Sequence, residues 1–244
     1  MAKKITNIYN QILKSKNSNH KLLAILLDPD KIDLDNATIL IEKINQSPAT
    51  HIFIGGSTVE NNILDELILK VKQNCDLPII LFPGSYTQIS NQADGILFLS
   101  LISGRNPDYL IEHQVKSAPI LKKTQLEIIS TGYALIESGT ETAVERVSQT
   151  KPISRTNLEQ VLHTVQAGEM LGYKLIYLEA GSGAKQAVPL EMIQFVSQNI
   201  EIPLIVGGGI VDLQGIQKAY DAGADLVVIG TAFENNNNFF LPND

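Results

Sequence analysis

Short apolar runs recur along the chain at even intervals: Leu22–Leu27, Ile52–Ile54, Ile79–Phe82, Ile96–Leu99, Leu126–Ile129, Leu175–Leu178, Leu204–Val206 and Leu226–Ile229. Each is rich in Ile, Leu and Val and almost free of polar alternation. Such runs predict strands covered on both faces, the mark of a parallel sheet. Between most of them the period changes to that of a helix. Asn36–Asn45 carries Ile39, Leu40 and Ile44, and the stretch from Ile63 to Val71 carries Leu64, Leu67 and Ile68. Asn157–Leu171, Leu190–Val196 and Leu213–Tyr220 follow the same rule. Eight β units alternating with α predict a (β/α)8 TIM barrel, with a doubly wound open sheet as the alternative.

Two connections depart from that repeat. Only Pro83-Gly84-Ser85-Tyr86 and a short polar stretch to Asp94 join strands three and four, so the helix there should be reduced or missing. The segment from Ser130 to Tyr173 is long, and its beginning at Tyr133 with the loop after it is the expected lid. The chain is expected to form one domain over residues 1–244, with a frayed low-complexity tail over about 235–244.

Chain length supports the barrel. At 244 residues the chain is close to the roughly 250 typical of this fold as one domain. A net charge of -7 argues against a broad nucleic-acid surface, which needs a basic face. The lone Cys75 allows neither an internal disulfide nor a cysteine zinc site, and it fits a cytoplasmic location. No apolar run approaches the roughly 20 residues that span a bilayer, and no signal peptide is expected. An apolar outer surface would support a homo-oligomer.

Chemistry in this fold sits where strands end. Strands seven and eight end in Gly207-Gly208-Gly209 and Gly230-Thr231, and glycine turns at these two positions predict a phosphate site. Strand one ends in Asp28-Pro29-Asp30-Lys31. Asp28 is either a ligand for a hard ion such as Mg²⁺ or a turn-capping carboxylate. Asp33 and Asp35 read as caps of the first helix. Ser57 and Thr58, after strand two, are either helix caps or oxygen ligands to the same ion. Glu179, at the end of strand six, is either a general base or an anchor for a hydroxyl. Lys31 and Arg105 are either phosphate partners or solvated surface residues. The four histidines form no ligand spacing, and no lysine stands near the C-terminal end of a strand, which weakens a Schiff-base reading.

Taken together, Asp28-Pro29-Asp30-Lys31, Gly55-Gly56-Ser57, Tyr177-Leu178-Glu179-Ala180-Gly181-Ser182-Gly183, Val206-Gly207-Gly208-Gly209-Ile210 and Gly230-Thr231 resemble geranylgeranylglyceryl phosphate synthase. The resemblance runs from about Leu22 to Phe233. It implies a prenyltransferase that joins a polyprenyl diphosphate to the 3-hydroxyl of sn-glycerol 1-phosphate, releasing diphosphate, as a step towards ether-linked phospholipids. It implies Mg²⁺ at Asp28 and Ser57. It implies a glycerol phosphate site at Tyr177, Leu178, Glu179, Ala180, Gly181, Ser182, Gly183, Gly208, Gly209, Gly230 and Thr231. Thr231 stands where many relatives carry Asn. Catalysis would fall to Glu179 and Asp28, with Lys31 or Arg105 on the diphosphate. The prenyl chain would lie beside the thin cover between strands three and four, against Leu97, Leu99 and Leu101. The alternative is another phosphate-binding barrel, an isomerase or lyase of a phosphorylated metabolite.

Overall fold

The computed structural model describes residues 7–56, 64–236 and 238–240. Eight parallel strands close into a barrel in sequence order, each paired with the next and β8 with β1. They are β1 (Leu22–Leu27), β2 (His51–Ile54), β3 (Ile79–Leu81), β4 (Gly95–Leu101), β5 (Glu127–Leu135), β6 (Leu175–Glu179), β7 (Leu204–Gly207) and β8 (Leu226–Ile229). All eight apolar runs are strands. The helices are α1 (Ile8–Asn17), α2 (Ala37–Asn45), α3 (Leu64–Asn74), α4 (His113–Leu121), α5 (Ala143–Ser148), α6 (Leu158–Met170), α7 (Leu190–Ser197), α8 (Leu213–Asp221) and α9 (Thr231–Asn235).

The strands are largely apolar because side chains alternate between two separate cores. One set fills the lumen: Phe53, Ile80, Leu97, Leu101, Ile129, Tyr133, Tyr177, Ile205 and Val228 are among its members. The other set, including Ile52, Ile54, Ile79, Leu81, Ile96, Ile176, Leu178 and Val206, meets the helices.

The N-terminal segment reads as polar, yet it folds as α1 and plugs the lumen from below with Ile8 and Ile12, both fully buried. Its first N–H groups are held by the Glu127 carboxylate, which accepts from Ile8 N at 2.6 Å and Tyr9 N at 2.9 Å. A carboxylate at a helix N-terminus supplies acceptors for otherwise unpaired donors and opposes the helix dipole.

Among the described residues no helix stands between β3 and β4. Of the expected tail, Asn235 closes α9 and Phe240 lies against Phe233 with ring centroids 6.0 Å apart, while residues 237 and 241–244 lie outside the described residues. Tyr133 is not part of a lid. β5 runs on to Leu135 and places Tyr133 in register with Tyr177, inside the barrel and 6% exposed. The segment that follows is tied down by a bridge between Ile136 and Ile153, and its helix α5 forms a wall at the barrel mouth.

Candidate active site

One cavity of about 630 Å³ opens at the C-terminal ends of the strands. That is within the usual range of roughly 300–1,000 Å³ for small-molecule sites. Three regions line it, and each follows from a different strand end.

The first region is the glycine side. β6, β7 and β8 deliver Gly181, Ser182, Gly183, Gly208, Gly209, Gly230 and Thr231 to the cavity. Gly208 has φ +81°, and a Cβ there would strike Glu179 Oε1 and Gly181 N. Any side chain would therefore both strain the turn and push on the carboxylate. Gly208→Ala is expected to cost roughly 1–3 kcal/mol of stability and to weaken anion binding. Thermal melts with and without inorganic phosphate read both effects. Leu178 and Ala180, by contrast, turn their side chains into the helix-facing core, and neither lines the cavity.

The second region is Glu179. It stands on the last residue of β6, side chain inward, 5% exposed and lining the cavity. Gly181 N–H donates to its Oε1 at 2.5 Å, and the hydroxyls of Tyr133 and Tyr177 donate to the same carboxylate. These tyrosines are fixed by aromatic packing. Tyr177 stacks on Phe82 at 5.4 Å and meets Tyr133 edge-on at 5.3 Å. Burial raises the Glu179 pKa to about 7 against the opposing pull of those three donors. A carboxyl poised near neutrality at the rim of a cavity is suited to exchanging a proton with a ligand.

The third region joins β1 to α9. Asp28 Oδ1 accepts from Asp30 N at 3.2 Å and so caps a 3-10 turn at Pro29–Lys31. The capping role is therefore realised, and the same carboxylate also faces Lys31 Nζ at 3.3 Å. Lys31 also pairs with Glu234 of α9 at 3.2 Å. Glu234 was not singled out from the sequence. Its signal was a carboxylate in the first turn after a phosphate-type strand end, just ahead of the Asn-rich tail. Asp33 caps a second 3-10 turn that leads into α2, and Asp35 lies within that turn. Ser57 and Thr58 lie outside the described residues.

Arg105 does not join this group. Its guanidinium folds back onto the carbonyls of Ile102 and Gly104, at 3.3 and 2.6 Å, and it does not line the cavity.

Where the β3–β4 helix is missing, the cavity extends sideways between the barrel and α4. Strand alternation extends the expected lining. Leu97, Leu99 and Leu101 line the cavity from the lumen side, and Ile96 and Phe98 line it from the outward face of β4. Tyr86, Ile89, His113, Gln114 and Ser117 complete the walls. Gln114 Nε2 is bound to the carbonyl of Leu99.

The sequence model of the PcrB family matches residues 10–242. A geranylgeranylglyceryl phosphate synthase of Flavobacterium johnsoniae is 69% identical over 236 residues, covering 97% of each chain. One from Zunongwangia profunda is 52% identical over 228 residues, covering 93% of this chain and 97% of its own. The crystal structure of (S)-3-O-geranylgeranylglyceryl phosphate synthase from Thermoplasma acidophilum, in complex with its substrate sn-glycerol-1-phosphate, superposes with a TM-score of 0.91. That chain is 32% identical, and the match covers 97% of this chain and 95% of that one.

Proposed function

The chain belongs to the PcrB family, and on that premise we propose that it is a geranylgeranylglyceryl phosphate synthase. It transfers a prenyl group from a polyprenyl diphosphate to the 3-hydroxyl of sn-glycerol 1-phosphate. The allylic C–O bond breaks and diphosphate leaves with the bonding pair. The hydroxyl oxygen forms the new ether bond and gives up its proton. The observation that carries the division of labour is Glu179, buried, facing the cavity and titrating near pH 7.

Glu179 takes that proton. Tyr133 and Tyr177 hold its carboxylate in place, so the acceptor is oriented before substrate arrives. The glycine side binds the phosphate that stays, through backbone donors that only glycine turns bring close enough. The Asp28 side receives the diphosphate that leaves, with Lys31 as its cationic partner.

The reading also implies Mg²⁺. The donor chemistry fits it: Asp28 and Glu234 are carboxylates, the hard oxygen donors that Mg²⁺ takes, and they stand close enough to share one ammonium. Asp28 would hold the ion, with Ser57 as the second ligand. When bound, Mg²⁺ supplies positive charge against the charge that builds on the diphosphate.

The prenyl chain lies in the sideways gap lined by Ile96, Phe98 and Ser117. Ser117→Phe is expected to raise KM for geranylgeranyl diphosphate about tenfold or more, equivalent to about 1.4 kcal/mol of lost binding. KM for glycerol phosphate should not move. An equal rise in both constants would place the chain elsewhere.

Among the described residues no helix is long and apolar enough to cross a membrane. Cys75 is an unpaired, buried thiol, which suits a cytoplasmic setting. Ile111 and Val115 stand exposed one turn apart beside α4, and they supply the apolar surface for a homo-oligomer.

A further inference from the structure

The Asp28 carboxylate already has a cation, and that cation is part of the chain. Lys31 Nζ lies 3.3 Å from Asp28 Oδ2 and 3.2 Å from Glu234 Oε2. Glu234 is also tied to the end of β1, accepting from Asp28 N at 3.4 Å through Oε1. The two carboxylate side chains are 22% and 11% exposed, whereas Lys31 is 47% exposed. The acids are therefore fixed in the rim, and the ammonium is the movable partner. The fold dictates this meeting. β1 pairs with β8, and α9 begins two residues after β8 ends. Glu234 thus arrives beside the turn that carries Asp28 and Lys31.

We propose that Lys31 is the built-in counter-ion of the Asp28–Glu234 pair, and that Lys31 and a divalent metal ion exclude each other at Asp28. The proposal rests on the reading of Asp28 as the metal ligand. A divalent ion approaching Asp28 meets an ammonium already in contact with the same carboxylate, and like charges at that range repel strongly in a partly enclosed site. Arrival of a diphosphate reverses the balance. Its oxygens attract the ammonium away from Asp28 and complete the shell of the metal. Lys31 is suited to this move, being a point charge on a long flexible stem. Glu234 keeps it at the mouth after it leaves Asp28, which makes Glu234 a positioning residue for Lys31.

Among the described residues no group of three or more His, Cys, Asp or Glu side chains is arranged to hold a metal. An ion at Asp28 is completed by oxygens of the diphosphate and of water. Metal and diphosphate must then bind with positive coupling, and the coupling is reciprocal. The free enzyme stays poorly loaded with metal, and the site becomes complete only with the substrate whose leaving group needs it.

The test is Mn²⁺ binding to the full chain, read by electron paramagnetic resonance, with and without inorganic diphosphate. The proteins are the wild type, Lys31→Met, Glu234→Gln and Asp28→Asn. Without diphosphate, Lys31→Met should bind Mn²⁺ about tenfold tighter than the wild type, since it removes a competing charge. Diphosphate should tighten Mn²⁺ binding in the wild type far more than in Lys31→Met. Glu234→Gln should bind Mn²⁺ more weakly than the wild type, because Lys31 then rests on Asp28 alone. A salt bridge with only a structural role would leave these affinities unmoved. Equal or weaker Mn²⁺ binding by Lys31→Met overturns the proposal, while loss of binding in Asp28→Asn alone would still uphold Asp28 as a ligand. Absence of Mn²⁺ binding in every protein overturns both. Lys31→Gln, with far-ultraviolet circular dichroism of each variant, separates loss of charge from loss of fold.

Discussion

Glu179→Gln should lower kcat by roughly 10²- to 10⁴-fold, the range by which a positioned general base contributes to rate. KM for geranylgeranyl diphosphate should stay near the wild-type value, because the diphosphate and the prenyl chain bind elsewhere in the cavity. The substitution keeps the shape of the site. A Gln oxygen can still accept from Gly181 N–H, and the tyrosine hydroxyls can accept from the new amide. What is lost is the ability to take a proton. The pH profile gives the sharper signature. With a pKa of about 7, Glu179 is ionised above neutrality and protonated below it. Wild-type kcat/KM should therefore fall as pH drops through about 7, and this limb should be absent from the residual activity of Glu179→Gln. Stability should move the opposite way. The folded-state pKa lies above its ordinary value of 4.5, so the buried carboxyl is favourable while protonated. That contribution is present below the unfolded pKa and is lost as pH rises through 7. Glu179→Gln should accordingly melt higher than the wild type at pH 8 and not at pH 4. A wild-type rate in this variant would remove Glu179 from both roles assigned to it.

Asp28→Asn should abolish metal-dependent turnover, with a loss of at least about 10²-fold, comparable to removing one main stabiliser of developing charge. The fold should survive, since the Asn side chain can still accept from Asp30 N and cap the turn at Pro29–Lys31. Initial rates across a Mg²⁺ titration separate this from a loss of stability. The wild type should show a saturable dependence on Mg²⁺, and the variant should show a flat, low response at every concentration. Wild-type dependence on Mg²⁺ in Asp28→Asn would move the metal to another residue.

The barrel was legible because the strand signal is carried by composition and spacing. Nearly every run from Leu22–Leu27 to Leu226–Ile229 is buried on both faces, Ile128 of β5 being an exposed exception, so the runs were found without an alternating pattern. Side-chain direction was less legible, since an unbroken apolar run hides which positions face the lumen. That is why the sequence pointed to Leu97, Leu99 and Leu101 alone, whereas Ile96 and Phe98 line the cavity as well. The glycine turns and Glu179 could be placed because the end of a strand is easy to locate when the strand is short. Tyr133 was misplaced for the converse reason. β5 runs nine residues, well past its last Ile, through Ser130, Thr131 and Gly132 that break its apolar run. α1 escaped notice because Ile8 and Ile12 are two apolar positions among Asn, Gln and Lys. The Glu127 carboxylate that caps it lies over a hundred residues away. Glu234 was missed because its meaning lies in the β1–β8 closure, which brings it to Lys31 across 203 positions of sequence.

The most direct measurement of the central claim uses labelled sn-glycerol 1-phosphate, Mg²⁺ and geranylgeranyl diphosphate with the wild-type chain, followed by extraction into organic solvent. The account predicts a labelled organic-soluble ether phosphate and one equivalent of released diphosphate, both dependent on Mg²⁺. Absence of labelled organic-soluble product, with this or any other length of prenyl diphosphate, would contradict it.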